Sequence, residues 1–181
     1  MTAVFKEISS QWRRYRSDQN GAAAVEFALV LSLLIVPILN IVDFAYYGWC
    51  RMQVDNAAQM ATQAAWKTCT PPTFLPATSN CTGLGTAVSN AAGSTSLQGA
   101  ITVTSTTENY YCVNSSNALV TVGTFPGTKP SDCSSVGSAS DTVGDYVKIT
   151  VSYTYAPLFP AVSIASALAS PITRTAWMRL G

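Results

Sequence analysis

Three groups of residues in this chain have types and spacings that could do chemistry: a glutamate set into an apolar run, four cysteines downstream of it, and scattered carboxylates towards the carboxy terminus. The glutamate is the specific one. Gly21 is followed by Ala22, Ala23, Ala24 and Val25, then by Glu26 and Phe27, then by an apolar stretch reaching Val42. An ionised carboxylate inside a bilayer helix costs about 2.5–3.5 kcal/mol on insertion scales, so its presence asks for a partner. A backbone cut between Gly21 and Ala22 would supply one, because the new α-ammonium of Ala22 on a neighbouring copy could pair with Glu26. Snorkelling of Glu26 to the headgroup level accounts for the same residue without a cut. The residues alone leave these two readings level.

The cysteines read as structural. No pair is spaced as C-x-x-C, and with no histidine among the 181 residues a zinc site would need cysteine ligands alone at irregular spacings. Four cysteines allow three pairings. Neighbours in sequence close the shortest loops, which pairs Cys69 with Cys81 and Cys112 with Cys133. Cys50 stands apart, a few residues past the apolar run, and is either a free thiol, the favoured reading, or a link to another chain. The missing histidine also removes the usual general base and nucleophile activator, so no catalytic residue is assigned. Glu108, Asp132, Asp141 and Asp145 could include a carboxylate pair or a calcium set, but Asp141-Thr142-Val143-Gly144-Asp145 lacks the ligand spacing of an EF-hand, and solvated loop acids are the default reading. Gly83, Gly85 and Gly93 follow no strand as a phosphate-cradling loop would. No metal, cofactor or small-molecule substrate is expected.

These residues need elements to position them. Residues 22–42 are apolar except for Glu26, Ser32, Pro37 and Asn40, and about 20 such residues in a helix cross a hydrocarbon core of roughly 30 Å. Lys6, Arg13, Arg14 and Arg16 precede the run, against Glu7 and Asp18, so residues 1–21 form a basic leader that the positive-inside rule leaves in the cytoplasm. The remainder is then exported, where disulfides persist. Residues 43–68 keep a helical rhythm, with Val54, Ala57, Ala58, Ala61, Ala64 and Ala65 as a stripe of small side chains, and Tyr46, Tyr47 and Trp49 placed for the headgroup level. A helix from Ala22 to Trp66 would reach roughly 68 Å and act as a stalk, bent at Pro37.

Residues 69–181 change to Ser, Thr, Gly and Asn and predict a β-rich exported domain. Short strands are expected at Ile101–Thr106, Tyr110–Val113 and Ala118–Val122. Tyr146–Tyr155 alternates most clearly, with Val147, Ile149, Val151, Tyr153 and Tyr155 on the buried face. Ala161–Ala169 reads as a short helix, Ile172–Leu180 as a closing strand, and Thr82–Gly99 and Pro126–Gly144 as loops. The whole is α+β: one long helix and a small, mostly antiparallel domain. A net charge of +1 leaves no argument from bulk electrostatics for a nucleic-acid or an acidic partner, and no nucleic acid is expected.

The segment RSDQNGAAAVEFALVLSLLIVPILNIVDFAYYG, Arg16 to Gly48, resembles the TadE-like minor pilins, or pseudopilins, of the Flp (Tad) type IVb pilus apparatus. The ending YTYAPLFP and the later RTAWMRL are similar to that family's closing pattern. The resemblance implies a prepilin peptidase that cuts after Gly21, leaving Ala22 first, Glu26 fifth and Phe27 sixth. Flp pilins usually carry tyrosine at that sixth place, and phenylalanine is common among TadE-like proteins. It further implies a bacterial inner-membrane protein with a cytoplasmic amino terminus and a periplasmic domain, passing to the pilus or cell surface. Its partners would be other TadE-like or minor pilins and the major Flp pilin, and its role pilus assembly and thereby adherence. The rival reading is an uncleaved, single-pass anchored binding module.

Overall fold

The computed structural model describes residues 19–137, 140–168 and 170–181. Positions 1–18 of the leader, with Lys6, Arg13, Arg14 and Arg16, lie outside the described residues. The first element, α1, runs without interruption over Gln19–Cys69 and includes Pro37. Ala, Leu, Gln and Met, all strong helix formers, dominate it. It stops where Pro71 and Pro72 follow, since the residue before a proline is pushed out of the α region. The Thr70 hydroxyl donates back to the Trp66 carbonyl at that end.

Two short helices follow, α2 (Ala77–Asn80) and α3 (Leu84–Ala92), and then strands β1 (Ile101–Val113), β2 (Leu119–Thr124), β3 (Gly144–Tyr153) and β4 (Ile172–Arg179). The strands form one antiparallel sheet in the order β2-β1-β3-β4. The sequence alternation in β3 places Val147, Ile149, Val151 and Tyr153 in the core, as expected of a half-buried strand. β1 is one long strand where two short ones were expected. Its polar centre pairs with β3 throughout, Thr106 with Ile149, Thr107 with Lys148, Glu108 with Val147 and Asn109 with Tyr146. Ladder partners thus override weak local β preference.

The segment expected to be a stalk is part of the core. Cys50, Val54, Ala57, Ala58, Ala61, Ala65 and Cys69 are buried, and this face of α1 packs on α3, β3 and β4. The small side chains therefore bring the helix close to α3 and the sheet of its own domain. The loop expected at Thr82–Gly99 is also corrected. It contains α3, whose Leu84, Val88 and Ala92 recur one turn apart and are buried. This period was present in the sequence but lay within a run rich in Ser, Thr, Gly and Asn, and a helix this short depends on its packing. The helix expected at Ala161–Ala169 is reduced to a 3-10 turn at Ile164–Ala167, with the Ser163 side chain accepting from the Ala165 amide at 3.2 Å.

Two disulfides tie the ends of these elements. Cys69 at the end of α1 is bonded to Cys81 after α2, with Cα atoms 5.8 Å apart, and Cys112 of β1 to Cys133, 5.7 Å apart. The second lies in a small satellite core with Tyr110 and Val143. In the chain-entropy model, bridges closing loops of this length contribute on the order of 3 kcal/mol each.

Candidate functional site

α1 has two halves with opposite surroundings. From Gly21 to Ile38 every residue is exposed, and none of the most apolar 18-residue window is buried in the protein. A surface this apolar, contiguous and unpartnered marks a membrane or protein contact. Ala22, Glu26 and Phe27 all lie on it, Phe27 being 67% exposed. Glu26 makes no hydrogen bond or ion pair among the described residues. At Gly21 an added Cβ would meet nothing within 4 Å. Packing within the chain therefore gives no reason for glycine there.

The second half begins abruptly at two buried polar side chains. Asn40 donates from Nδ2 to the carbonyls of Val36 at 2.9 Å and Val162 at 3.0 Å, and its Oδ1 accepts from the Ile164 amide at 2.7 Å. The Asp43 carboxylate accepts from the amides of Leu158 at 2.9 Å and Phe159 at 3.4 Å. The Tyr155 hydroxyl donates to the Asp43 carbonyl at 3.2 Å. The loop between β3 and β4 is thereby strapped across the helix. Sequence reasoning took Asn40 for a mere interruption of the apolar run. The available signal was register, since Asn40 and Asp43 continue the buried stripe of Cys50, Val54, Ala57 and Ala61 by steps of three and four.

Tyr46, Tyr47 and Trp49, expected at the headgroup level, are half-buried on this same side. Tyr46 stacks on Trp49 with centroids 5.7 Å apart, and Tyr47 meets Tyr155 edge-on at 5.0 Å. The free Cys50 is enclosed here, and burial pushes its thiol pKa up, so it stays protonated at neutral pH.

The carboxylates divide differently from expectation. Glu108 and Asp145 are buried on β1 and β3 and are not solvated loop acids. Glu108 accepts from the Ala77 amide at 2.8 Å, the Thr78 amide at 2.7 Å and the Thr78 hydroxyl at 2.7 Å, which holds α2 against the sheet. Asp145 has a buried Oδ1 with no hydrogen-bond partner among the described residues. Burial, and then the adjacent Glu108 charge, raises its pKa to about 7, with Lys129 opposing. Asp132 is exposed, and hydrogen bonds from the Ser134 side chain and then from the Ser134 amide, at 2.9 Å, lower its pKa. Asp141 borders a shallow hollow with Tyr111, Tyr146 and Arg179. Among the described residues, no three His, Cys, Asp or Glu side chains gather as a metal-ligand set.

Residues 21–63 match the model of the TadE-like protein family. Over that span the chain is similar to TadE-like proteins. The match begins at Gly21, takes in the whole exposed half of α1 and runs into the packed half. The sheet lies outside the matched span. Neither a curated protein nor a solved structure matches the chain.

Proposed function

We propose that this protein is a minor pilin or pseudopilin of the Tad pilus system, anchored in the bacterial inner membrane by residues 22–42 and cut by a prepilin peptidase between Gly21 and Ala22. One observation carries the reading: a TadE-like helix whose apolar half is wholly exposed and bears, in Glu26, a carboxylate with no partner among the described residues. A bare surface of this kind is stable only in lipid or against other helices. The same helix meets both needs in turn, first in the bilayer and then among pilin helices in the assembly. The cut creates an α-ammonium at Ala22, charged at neutral pH because such groups have pKa values near 7.7–8.0. Pairing it with the Glu26 carboxylate of a neighbour offsets the cost of burying either charge alone.

The basic leader supports a cytoplasmic amino terminus, and two disulfides support an oxidising compartment for the domain. Partners in this reading are the peptidase, other TadE-like or minor pilins and the major Flp pilin. The deciding experiment is amino-terminal sequencing with intact mass of the protein extracted from membranes of a piliated native host. Ala22 at the terminus is expected. Met1 or Thr2 there would establish the uncleaved anchored module instead.

A further inference from the structure

The exposed half of α1 and the loop between β3 and β4 meet at one level of the molecule. Asn40 and Asp43 bind the backbone at Leu158, Phe159, Val162 and Ile164. The outward side chains of this strap are Leu158, Val162 and Ile164, exposed by 50%, 38% and 65%, and at the same height on the helix Ile41 and Phe44 are exposed by 68% and 44%. No charged residue occurs between Lys148 and Arg174. The apolar surface of the bare helix thus widens where the strap crosses it.

Depth decides what covers it. At about 1.5 Å per residue, a hydrocarbon core of roughly 30 Å is crossed in about 20 residues. A crossing that starts at Ala22 ends near Ile41. One that starts after Glu26, with that carboxylate at the cytoplasmic interface, ends near Tyr46. Both bring the strap to the far boundary of the bilayer or just inside it. Non-helical backbone at that depth needs its polar groups satisfied within the protein. The hydrogen bonds from Asn40 and Asp43 do this for the Val162 carbonyl and for the amides of Leu158, Phe159 and Ile164.

We propose that residues 158–164, together with Ile41 and Phe44, form a lipid-facing collar that seats the domain in the headgroup–acyl boundary of the phospholipid bilayer spanned by α1. The inference rests on the membrane reading of residues 22–42 and adds a second contact to it, from the domain itself. The collar holds the domain against the membrane surface and so sets the depth and tilt of the helix.

The test uses the full chain reconstituted in phosphatidylethanolamine–phosphatidylglycerol vesicles. Nitroxide labels are placed at Leu158→Cys, Ile164→Cys, Ile35→Cys and Ser116→Cys, with Cys50 left in place because it is enclosed. All four sites are exposed, so a label displaces no packed side chain. Collision with oxygen, which concentrates in lipid, is compared with collision with a water-soluble nickel chelate. Oxygen should dominate several-fold at 158 and 164, as at 35, and the chelate should dominate at 116. Chelate dominance at 158 and 164 with oxygen dominance at 35 would overturn the collar and leave the spanning helix intact. Chelate dominance at 35 would overturn the spanning reading and the collar with it. Shielding of 158 and 164 from both probes would show a protein surface there, and would also overturn the lipid assignment.

Discussion

Glu26 and Asp43 are two acids on one helix, and their surroundings share almost nothing. Asp43 is fully buried, accepts two backbone amides and fastens the β3–β4 loop to α1. Glu26 stands on a bare apolar surface with no partner among the described residues. The difference divides α1 by what completes it. The packed half is completed by its own sheet, so its polar groups are structural. The bare half is completed by something outside the chain, so its one carboxylate has no structural task within it. Changes in the packed half should therefore be read out in stability, and changes in the bare half in insertion and assembly.

Asp43→Ala should have the largest effect on stability. It leaves the Leu158 and Phe159 amides without their charged acceptor at a buried site, at a cost of about 3 kcal/mol. Thermal unfolding in detergent would show a clear fall in midpoint, and an unchanged midpoint would mean that the strap contributes nothing. Ala61→Leu comes next. Ala61 has no exposed surface, and extra methylenes in a packed core cost about 1–3 kcal/mol. The enlargement of Val30 to Leu, on the bare half, should leave the same midpoint where it is.

The carboxyl of Asp145 gives a smaller effect that depends on pH. Its pKa is raised in the folded protein from 3.8 to about 7, so the folded state keeps a proton that the unfolded chain has already released. Stability is then greatest below about pH 4, declines as the pH rises towards 7 and levels off above. Tyr110, whose own pKa is raised by burial and then by Asp145 and Glu108, remains neutral through this range. Asp145→Asn should flatten the decline between pH 5 and 7 in the thermal midpoint. A slope equal to that of the unaltered protein would exclude Asp145 as its source.

Glu26→Gln should have the least effect on the fold, with no change in midpoint, insertion or cutting after Gly21. Its effect should appear only as lower recovery in pilus or minor-pilin complexes, with Glu26→Asp in between. Wild-type recovery would remove the proposed pairing and leave Glu26 as an interfacial residue. Failure to be cut would move Glu26 into peptidase recognition and blur the contrast with Asp43.

Local pattern in the sequence was enough for whatever depends on composition and period. The apolar run of 22–42 is visible because its hydrophobicity is a matter of composition and owes nothing to tertiary partners. The alternation of Val147, Ile149 and Val151 is visible because a half-buried strand has period two. The long helix and the β-rich remainder followed from the same kind of signal. The tertiary structure decided whatever depends on which surfaces meet. The stripe Ala57, Ala58, Ala61 and Ala65 reads equally well as a contact between separate helices or as a seat for a sheet. Only the fold of residues 84–179 decided that both α3 and the sheet of the same chain cover it. The helix α3 was hidden because nine residues of weak propensity become helical only when Leu84, Val88 and Ala92 find α1 beneath them. Glu108 and Asp145 carry no sequence mark that separates a buried acceptor from a solvated side chain, and the register of Asn40 and Asp43 marks a buried face without naming what they bind. Apart from the Val36 carbonyl that Asn40 also binds, the partners of Glu108, Asp43 and Asn40 lie 30 to 124 residues away along the chain, and pairing at that range is set by the packing of the whole domain.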